Sequence, residues 1–384
     1  MMKNFLLLLI AIISLHTIQA QEDSRVITTA VPFVLISSDA RASGMGDMGV
    51  ATTADAFSQY WNPSKYIYMD HKMGVALSYT PYLSQLVNDI KILTVNYYNK
   101  INDRSAFGIS VKYFGLGEID LYDQGGNYNG TVNPNEFYID GSYALKLSET
   151  FSMAVTMRFI NSDLKLGTGN EDASAAQSVA VDLSGYYQSA PIDFTDFQGR
   201  IRLGYNIQNL GPKMRYYKDD DGDFLPTNLK LGAGFDFIMD EYNTIGVTFE
   251  TNKLLVPTPP VRDSNGQIID GKDDNVSWLT GVFQSFSDAP GGFSEEMKEF
   301  QWSLGTEYSY MDAFAVRAGY FHESEIKGNR KYFTIGAGFK YNYLTLDVSY
   351  LFSSNKLKTP LDNTMRFSLS FNLDAFGSGA TSEE

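Results

Sequence analysis

The most constraining feature of this sequence is an alternation of apolar residues with polar or small ones that recurs along most of its length. In residues 333–341 and 367–373 every second residue is apolar. A period of two predicts β-strands with one apolar face. About 14 such segments occur, and most have about 9–12 residues, the length that a tilted strand needs to cross a bilayer. The predicted strands are residues 72–80, 89–99, 104–115, 136–147, 150–164, 175–189, 199–209, 227–238, 242–254, 299–310, 313–323, 330–341, 342–353 and 363–373.

Strand length and aromatic content distinguish a soluble β-sandwich from a membrane barrel. Strands of soluble sandwiches usually have about 5–6 residues, fewer than most segments here. Aromatic residues make up 14% of the chain, whereas charged residues make up 20%. A barrel wall places the rings against lipid and the polar residues inside. The predicted fold class is therefore all-β, a transmembrane antiparallel β-barrel of about 14 strands.

The N-terminus has the pattern of a secretory signal peptide. Lys3 supplies a positive charge, residues 5–15 are almost all apolar, and Ala20 offers a small residue at the cleavage point. This apolar run is too short to span a bilayer as a helix. The mature protein is therefore expected to be exported, either as a soluble protein or as a barrel in an outer membrane.

The connections between the predicted strands alternate between short turns and long loops. In outer-membrane barrels, short turns face the periplasm and long loops face outside. An even strand count then places both chain ends in the periplasm and an insert at 254–298 outside the cell. The predicted division is a signal peptide at 1–20, a hatch at 21–71, the barrel at 72–373 and a periplasmic tail at 374–384.

The inward face of the predicted barrel carries charges of both signs in nearly equal number. A balanced set favours ion pairs that satisfy each other around a plug, and the alternative is a selectivity ring for an ionic solute. The predicted inward charges are Lys112, Arg158, Arg202, Lys230, Arg317, Lys340, Arg366, Asp140, Asp182, Asp236, Glu250, Glu307 and Asp347.

Composition and motifs argue against enzymatic and nucleic-acid functions. The net charge of −15 does not fit a basic nucleic-acid footprint, and the sequence has no cysteine and 3 histidines. No GxSxG or HExxH pattern occurs. The sequence therefore predicts neither an enzyme nor a cofactor. A weak calcium candidate is the acidic run with Asp219, Asp221 and Asp223, although its spacing is not that of an EF-hand and a solvated acidic turn fits better.

The long connection at 254–298 contains an apolar face at helical spacing. Its start is proline-rich, and a run of apolar residues follows near residue 280. Such a face would either cap the barrel rim or bind another protein. An alternative assignment makes 276–286 a further strand, which would break the alternation of short and long connections. The candidate partner-binding residues are Trp278, Leu279, Val282, Phe283 and Phe286.

Residues 21–71 do not alternate and contain a glycine-rich motif. The spacing of its three glycines matches a dinucleotide fingerprint, but no strand–helix unit follows, so compact turns folded inside a barrel mouth fit better. The motif residues are Gly44, Gly46, Gly49, Asp55, Trp61, Asn62 and Pro63.

This motif resembles the hatch of FadL-like outer-membrane barrels, which have 14 strands and an N-terminal plug. The more specific strings 42–47 and 61–63, together with 287–299, resemble the PorV branch of type IX secretion. The resemblance extends over essentially the whole mature chain. It implies a FadL-like barrel with a plug, built into the outer membrane.

The resemblance also implies a function in protein secretion. Such a protein binds a giant translocon barrel of the SprA/Sov kind, collects secreted proteins by their C-terminal signal domains, and passes them to the surface attachment machinery. Outer-membrane lipid would surround it. The alternative is a FadL-like transporter of fatty acids or other hydrophobic solutes, which needs an apolar pocket at the hatch and a gap in the wall, for example at Gly108 or Gly204. A structural or adhesive role has no specific support.

Overall fold

The computed structural model describes residues 24–123, 125–164, 175–217, 221–354 and 361–374. Within these residues, fourteen long antiparallel strands form a closed barrel, because the last strand pairs with the first. Each strand pairs with its neighbours in the chain, so the topology is an up-and-down barrel. The strands are β1 (Met73–Pro81), β2 (Lys91–Asn102), β3 (Ser105–Gly115), β4 (Asn135–Lys146), β5 (Phe151–Asp163), β6 (Ala176–Gln188), β7 (Gln198–Leu210), β8 (Asn228–Ile238), β9 (Asn243–Leu254), β10 (Gln301–Tyr310), β11 (Phe314–His322), β12 (Lys331–Tyr341), β13 (Leu344–Ser353) and β14 (Met365–Asn372).

The all-β, fourteen-strand prediction is confirmed. Alternating burial along the strands explains why the sequence pattern was sufficient: in β5, buried and exposed residues alternate from Ser152 to Ile160. Tight turns between such strands need residues with positive φ, and Asp312 and Asn342 adopt φ values of 52° and 53°. The predicted signal peptide lies outside the described residues.

The outer face of the barrel is apolar, and aromatic rings lie near the strand ends. At the short-turn end, Tyr308, Tyr310, Phe314 and Tyr341 are exposed on this face. Aromatic belts of this kind mark the boundary between hydrocarbon and water. Among the described residues, no helix is both long and apolar enough to span a membrane.

Smaller elements lie in the hatch and in the connections. In the hatch they are short helical turns, which fit the glycine-rich sequence. The helices are α1 (Ala40–Ser43), α2 (Ser58–Trp61), α3 (Trp278–Gln284) and α4 (Gly292–Lys298), the 3-10 turns are Pro32–Leu35, Pro63–Tyr68 and Glu325–Lys327, and the short strands are Ile119–Tyr122, Tyr128–Val132, Ile192–Asp193, Val261–Arg262 and Ile268–Asp270.

The hatch passes through the barrel from its long-loop end to its short-turn end. The Arg25 N–H donates to the carbonyl of Ile326 at 2.9 Å, in a long loop. At the other end, the Lys100 N–H donates to the carbonyl of Lys72 at 2.7 Å, beside a short turn. The described chain then ends at Asp374, also on the short-turn side, where Asp374 accepts from the Lys72 N–H at 2.8 Å.

This path corrects the prediction that both chain ends lie on the short-turn side. For the described residues, the N-terminal end lies at the long-loop mouth and the C-terminal end lies at the opposite mouth. The reason is that strand parity fixes only where β1 begins and β14 ends. A segment that traverses the lumen before β1 adds one more crossing.

Candidate functional site

Glycine allows the hatch backbone to lie directly against the barrel wall. A Cβ on Gly44 would lie 3.0 Å from the Cα of Gly336, a wall residue. Gly46 adopts φ of +85°, a conformation that favours glycine. A Cβ on Gly49 would overlap the ring of Trp61. Substitution at any of these three glycines would therefore move the hatch away from its contacts.

Polar residues of the motif hold the hatch turns together. The Trp61 indole N–H donates to the carboxylate of Asp39 at 2.6 Å. The Asn62 amide donates to carbonyls of the hatch and of the wall, both at 2.9 Å. Asp55 pairs with Arg41 at 2.7 Å. Pro63 begins a 3-10 turn, where its fixed φ and missing N–H cost nothing.

Ion pairs fill the space between hatch and wall, as the balanced inward charges predict. Lys112 and Lys340 form no ion pair within the described part of the chain; the Lys112 ammonium instead contacts the Ile36 carbonyl and the Tyr60 ring. The pairs, with N–O distances of 2.5–3.7 Å, are Arg41–Asp55, Arg41–Glu307, Arg158–Asp140, Arg158–Asp182, Arg202–Asp236, Lys230–Glu250, Arg317–Glu307, Arg317–Asp347 and Arg366–Asp47.

Two interior cavities lie on opposite sides of the hatch. One, of about 600 Å³, opens toward the short turns and is lined mainly by charged and polar groups, among them Arg202, Glu307 and Arg317. The other, of about 580 Å³, lies toward the long loops and has a mainly apolar lining that includes Phe33 and Phe321. The hatch therefore separates a polar chamber from an apolar one.

The long connection between β9 and β10, residues 255–300, is here called the insert. Four of its five candidate residues fall on helix α3 and Phe286 follows its C-terminal end, so the alternative assignment of 276–286 to a strand is wrong. The Ser277 hydroxyl caps this helix by accepting from the Thr280 N–H at 3.2 Å. A strand would have lost this cap and the packing of Gly281 against Phe224 and Pro257.

The five predicted binding residues do not share one exposed face. Val282 is buried on the packed side of α3, and Trp278 is half-buried. Phe283 is 72% exposed, and Leu279 and Phe286 are also exposed. The helix therefore packs on one side near Phe224 and Pro257 of the long loops and presents apolar side chains on the other.

Helix α4 adds two exposed apolar residues that the sequence analysis did not select. Phe293 is 80% exposed and Met297 is 51% exposed. Their spacing of four residues places them on one helical face, and this i, i+4 spacing was the available signal. The exposed apolar residues in and between these two helices are Leu279, Phe283, Phe286, Phe293 and Met297, and the insert also exposes Ile268 and Ile269 on its short hairpin.

A cluster of charged residues fixes the insert to the barrel and to the start of the hatch. It joins Arg25 of the hatch, Lys253 of β9 and Lys327 of a long loop to three carboxylates of the insert, Glu295, Glu296 and Glu299. Burial alone would raise the pKa of Glu295, but hydrogen bonds from Arg25 and Lys327 bring it down to about 2. Glu295 is therefore ionised at neutral pH, and its ion pairs with Arg25 and Lys327 are retained there.

Asp288 gives the insert a pH-dependent stability. Burial, together with the nearby carboxylates of Glu296 and Glu299, raises its pKa from 3.8 to about 6, although the Thr258 N–H donates to it. Because its pKa is higher in the folded state, its contribution to stability is present below pH 3.8 and is lost as pH rises to about 6.

We expect Asp288→Asn to remove this pH dependence. In the native protein, the hydrogen-exchange protection of the Gly292–Lys298 amides, corrected for intrinsic rates, should fall as pH rises across this window. In the variant the protection should be nearly constant, because Glu295 titrates below the window. Asp263→Asn, in an exposed turn of the same insert, is the control. An unchanged slope in Asp288→Asn would contradict the assignment.

The calcium candidate receives no support from the described residues. Asp219 lies outside them, the Asp221 carboxylate accepts from the Asn275 amide at 3.0 Å, and the backbone of Asp223 pairs with Met214. Within the described ranges, no group of acidic or histidine side chains is arranged to hold a metal ion.

Comparisons with solved structures give the same fold. Toluene transporter TodX of Pseudomonas putida is 9% identical, with coverage of 88% of this chain and 98% of its own and a TM-score of 0.50. A TodX deltaS2S3 mutant, titled a monoaromatic hydrocarbon channel, is 12% identical, with coverage of 88% and 99% and a TM-score of 0.50. A FadL homologue of Pseudomonas aeruginosa is 13% identical, with coverage of 91% and 99% and a TM-score of 0.44. The predicted FadL-like fold class is confirmed.

Sequence comparison identifies the family. No curated protein matches the chain. A family model described as Type IX secretion system protein PorV matches residues 19–261, more than half of the 384 residues. The matched range includes the whole hatch and nine of the fourteen strands of the described barrel. The chain therefore belongs to the PorV family of type IX secretion system proteins.

Proposed function

We propose that this protein is a binding and hand-over component of type IX secretion in the outer membrane. Its long loops would bind a giant translocon barrel of the SprA/Sov kind and secreted proteins that carry C-terminal signal domains. It would then deliver these proteins to the surface attachment machinery. The mechanism is protein binding without bond chemistry, so it calls for no catalytic residue and no cofactor.

The exposed apolar residues of the insert are the observation that carries this proposal. The rings of Phe283 and Phe293 are exposed to solvent. Large exposed apolar groups on a soluble surface commonly mark protein contacts. The insert is also anchored by buried ion pairs, including Lys327–Glu295 at 2.7 Å. A surface that is already ordered loses little entropy when a partner binds.

The sidedness of the barrel forms part of the proposal. The long loops and the insert would face the cell exterior, and the short turns and Asp374 would face the periplasm, as the loop lengths favour. The start of the hatch at Arg25 would then lie at the outer mouth, next to the insert.

The double variant Phe283→Ser/Phe293→Ser tests the docking surface. Losing two aromatic anchors from an interface should cost at least about 2 kcal/mol of binding free energy, which is roughly 30-fold in affinity. We expect the tagged variant, isolated from solubilised outer membranes, to recover far less translocon barrel and secreted protein by mass spectrometry. Tyr122→Ser, at a ring that is 62% exposed on another long-loop hairpin, is the matched control.

Barrel assembly must remain normal for this test to be decisive. Both rings lie outside the barrel wall, so the heat-modifiable mobility of the folded barrel on gels should not change. Normal secretion together with normal recovery of partners by the double variant would refute the docking role. Equal losses in Tyr122→Ser would show that the effect is not specific to the insert.

The second candidate function is transport of a hydrophobic solute. The apolar cavity of about 580 Å³ beside the hatch supports it, and the TodX structures with the same fold are titled as a toluene transporter and a hydrocarbon channel. However, Gly204 does not open the wall, because it is in register with Tyr186 on one neighbouring strand and with Gly232 on the other. Recovery of the purified protein with bound fatty acid and without protein partners would favour this candidate.

A further inference from the structure

The connection between β6 and β7 is unlike the other short-turn connections of the described barrel. It spans residues 189–197, and its short strand Ile192–Asp193 pairs with the start of β7. The Phe194 N–H donates to the carbonyl of Phe197 at 2.9 Å, which closes a tight hairpin. This connection, here called the short-turn hairpin, is therefore an ordered element.

The hairpin places aromatic rings on the outer wall of the barrel. The rings of Phe194 and Phe197 stack at 4.8 Å, and the Phe197 ring lies 5.3 Å from that of Phe237 on β8. Phe235 and Phe237 lie 4.7 Å apart and both point outward, because Asp236 between them pairs with Arg202 in the interior. Four phenylalanine rings thus form one cluster outside the wall.

A glycine in the wall makes room for this cluster. Gly199 points outward in β7, and a Cβ there would lie 2.5 Å from the Phe235 ring and 2.6 Å from the Phe194 ring. Gly199 is buried although it faces outward, since the rings cover it. The cluster is therefore packed to contact distance and is not an incidental approach of two loops.

The cluster is continuous with the surface that faces the bilayer. Across the strands, Phe237 is in register with Ile245, which is in register with Tyr308 of the aromatic belt. The outer edge of the hairpin is apolar, with Ile192 and Phe194 exposed, whereas Asp193 and Asp196 carry charge beside them. An element with this composition suits the boundary between hydrocarbon and headgroups.

We infer that the short-turn hairpin is a lipid anchor that lies in the bilayer interface of the short-turn leaflet. Phe194 and Ile192 would contact acyl chains, and Asp196 would reach the headgroup layer and water. The inference rests on the barrel spanning a membrane and is independent of the secretion role. A protein occupant would need a gap in the lipid at this level, and the continuity with the belt favours lipid.

Nitroxide labels on single introduced cysteines can test the position of the hairpin, because the native chain contains no cysteine. The variants Phe194→Cys and Asp196→Cys would be reconstituted as full-length barrels in phosphatidylethanolamine–phosphatidylglycerol vesicles. Collisions with oxygen report lipid, and collisions with a water-soluble nickel complex report water. Leu203→Cys, outward in the middle of β7, is the lipid reference. We expect the oxygen-to-nickel ratio at residue 194 to lie below that at Leu203→Cys, as a position in the interface requires, and to exceed that at residue 196 several-fold.

Two outcomes would overturn the inference. A ratio at residue 194 as low as that at residue 196 would place the hairpin in water. Low collision rates with both reagents at residue 194 would show that protein, such as a second copy of the barrel, covers it. If the Phe194→Cys barrel does not assemble, Ile192→Cys gives the same test from the neighbouring apolar position.

Discussion

Replacing Arg158 by methionine should lower the free energy of unfolding by about 3–5 kcal/mol, because it leaves two buried carboxylates without their cation. The guanidinium lies 2.8 Å from Asp140 and 2.9 Å from Asp182, and its side chain is 1% exposed. It also lies 4.6 Å from the centre of the Tyr138 ring, so packing is lost together with charge. Urea unfolding of the barrel in vesicles would measure the change.

Two further variants separate the charge effect from the packing effect. Arg262→Met removes the exposed pair with Asp274, whose side chains are 42% and 36% exposed, and should change stability by less than about 1 kcal/mol. Adding Asp140→Asn and Asp182→Asn to Arg158→Met should restore most of the loss, since no unpaired charge then remains. If the triple variant is as unstable as Arg158→Met alone, packing accounts for the loss.

The barrel wall was predictable because its signal is local. Strand residues alternate between lipid and interior, so the apolar pattern alone locates strands such as β5 and β12 to within a few residues. The inward charges were predictable for the same reason. The identity of each ion pair was not, because pairs such as Arg41–Glu307 join residues far apart in sequence.

The hatch and the insert depend on contacts that sequence periodicity does not encode. The direction in which the hatch crosses the lumen follows from Arg25 reaching Glu295 and Ile326, at distances in sequence where no local pattern operates. On α3, helical spacing suggested a single apolar face, but Val282 is buried and Phe283 is exposed. The local apolar spacing predicts the helix, but tertiary packing decides which face of the helix remains exposed to solvent.

Gly319→Val should detach the hatch while the barrel still forms. Gly319 points inward on β11, and a Cβ there would overlap the backbone of Met45 and Gly46. A backbone cannot rotate out of the way, so the hatch must move and lose the Ser303 hydroxyl contact to Gly46 at 2.7 Å. Three added carbons in a packed contact should cost about 3 kcal/mol or more. The strand pairing of β11 is unaffected, so the folded barrel should persist.

Trypsin sensitivity gives a direct reading of hatch detachment. Lys65 is fully buried and Arg41 is largely buried, so trypsin should spare both in the native barrel and cleave them in Gly319→Val. Gly141→Val is the matched control, because Gly141 faces outward and a Cβ there would lie 3.9 Å from its nearest neighbour. Protection of both sites in Gly319→Val would mean that the hatch tolerates the valine. The hatch separates the polar cavity from the apolar one. Its detachment should therefore also connect the two cavities and allow ion flux in a planar bilayer.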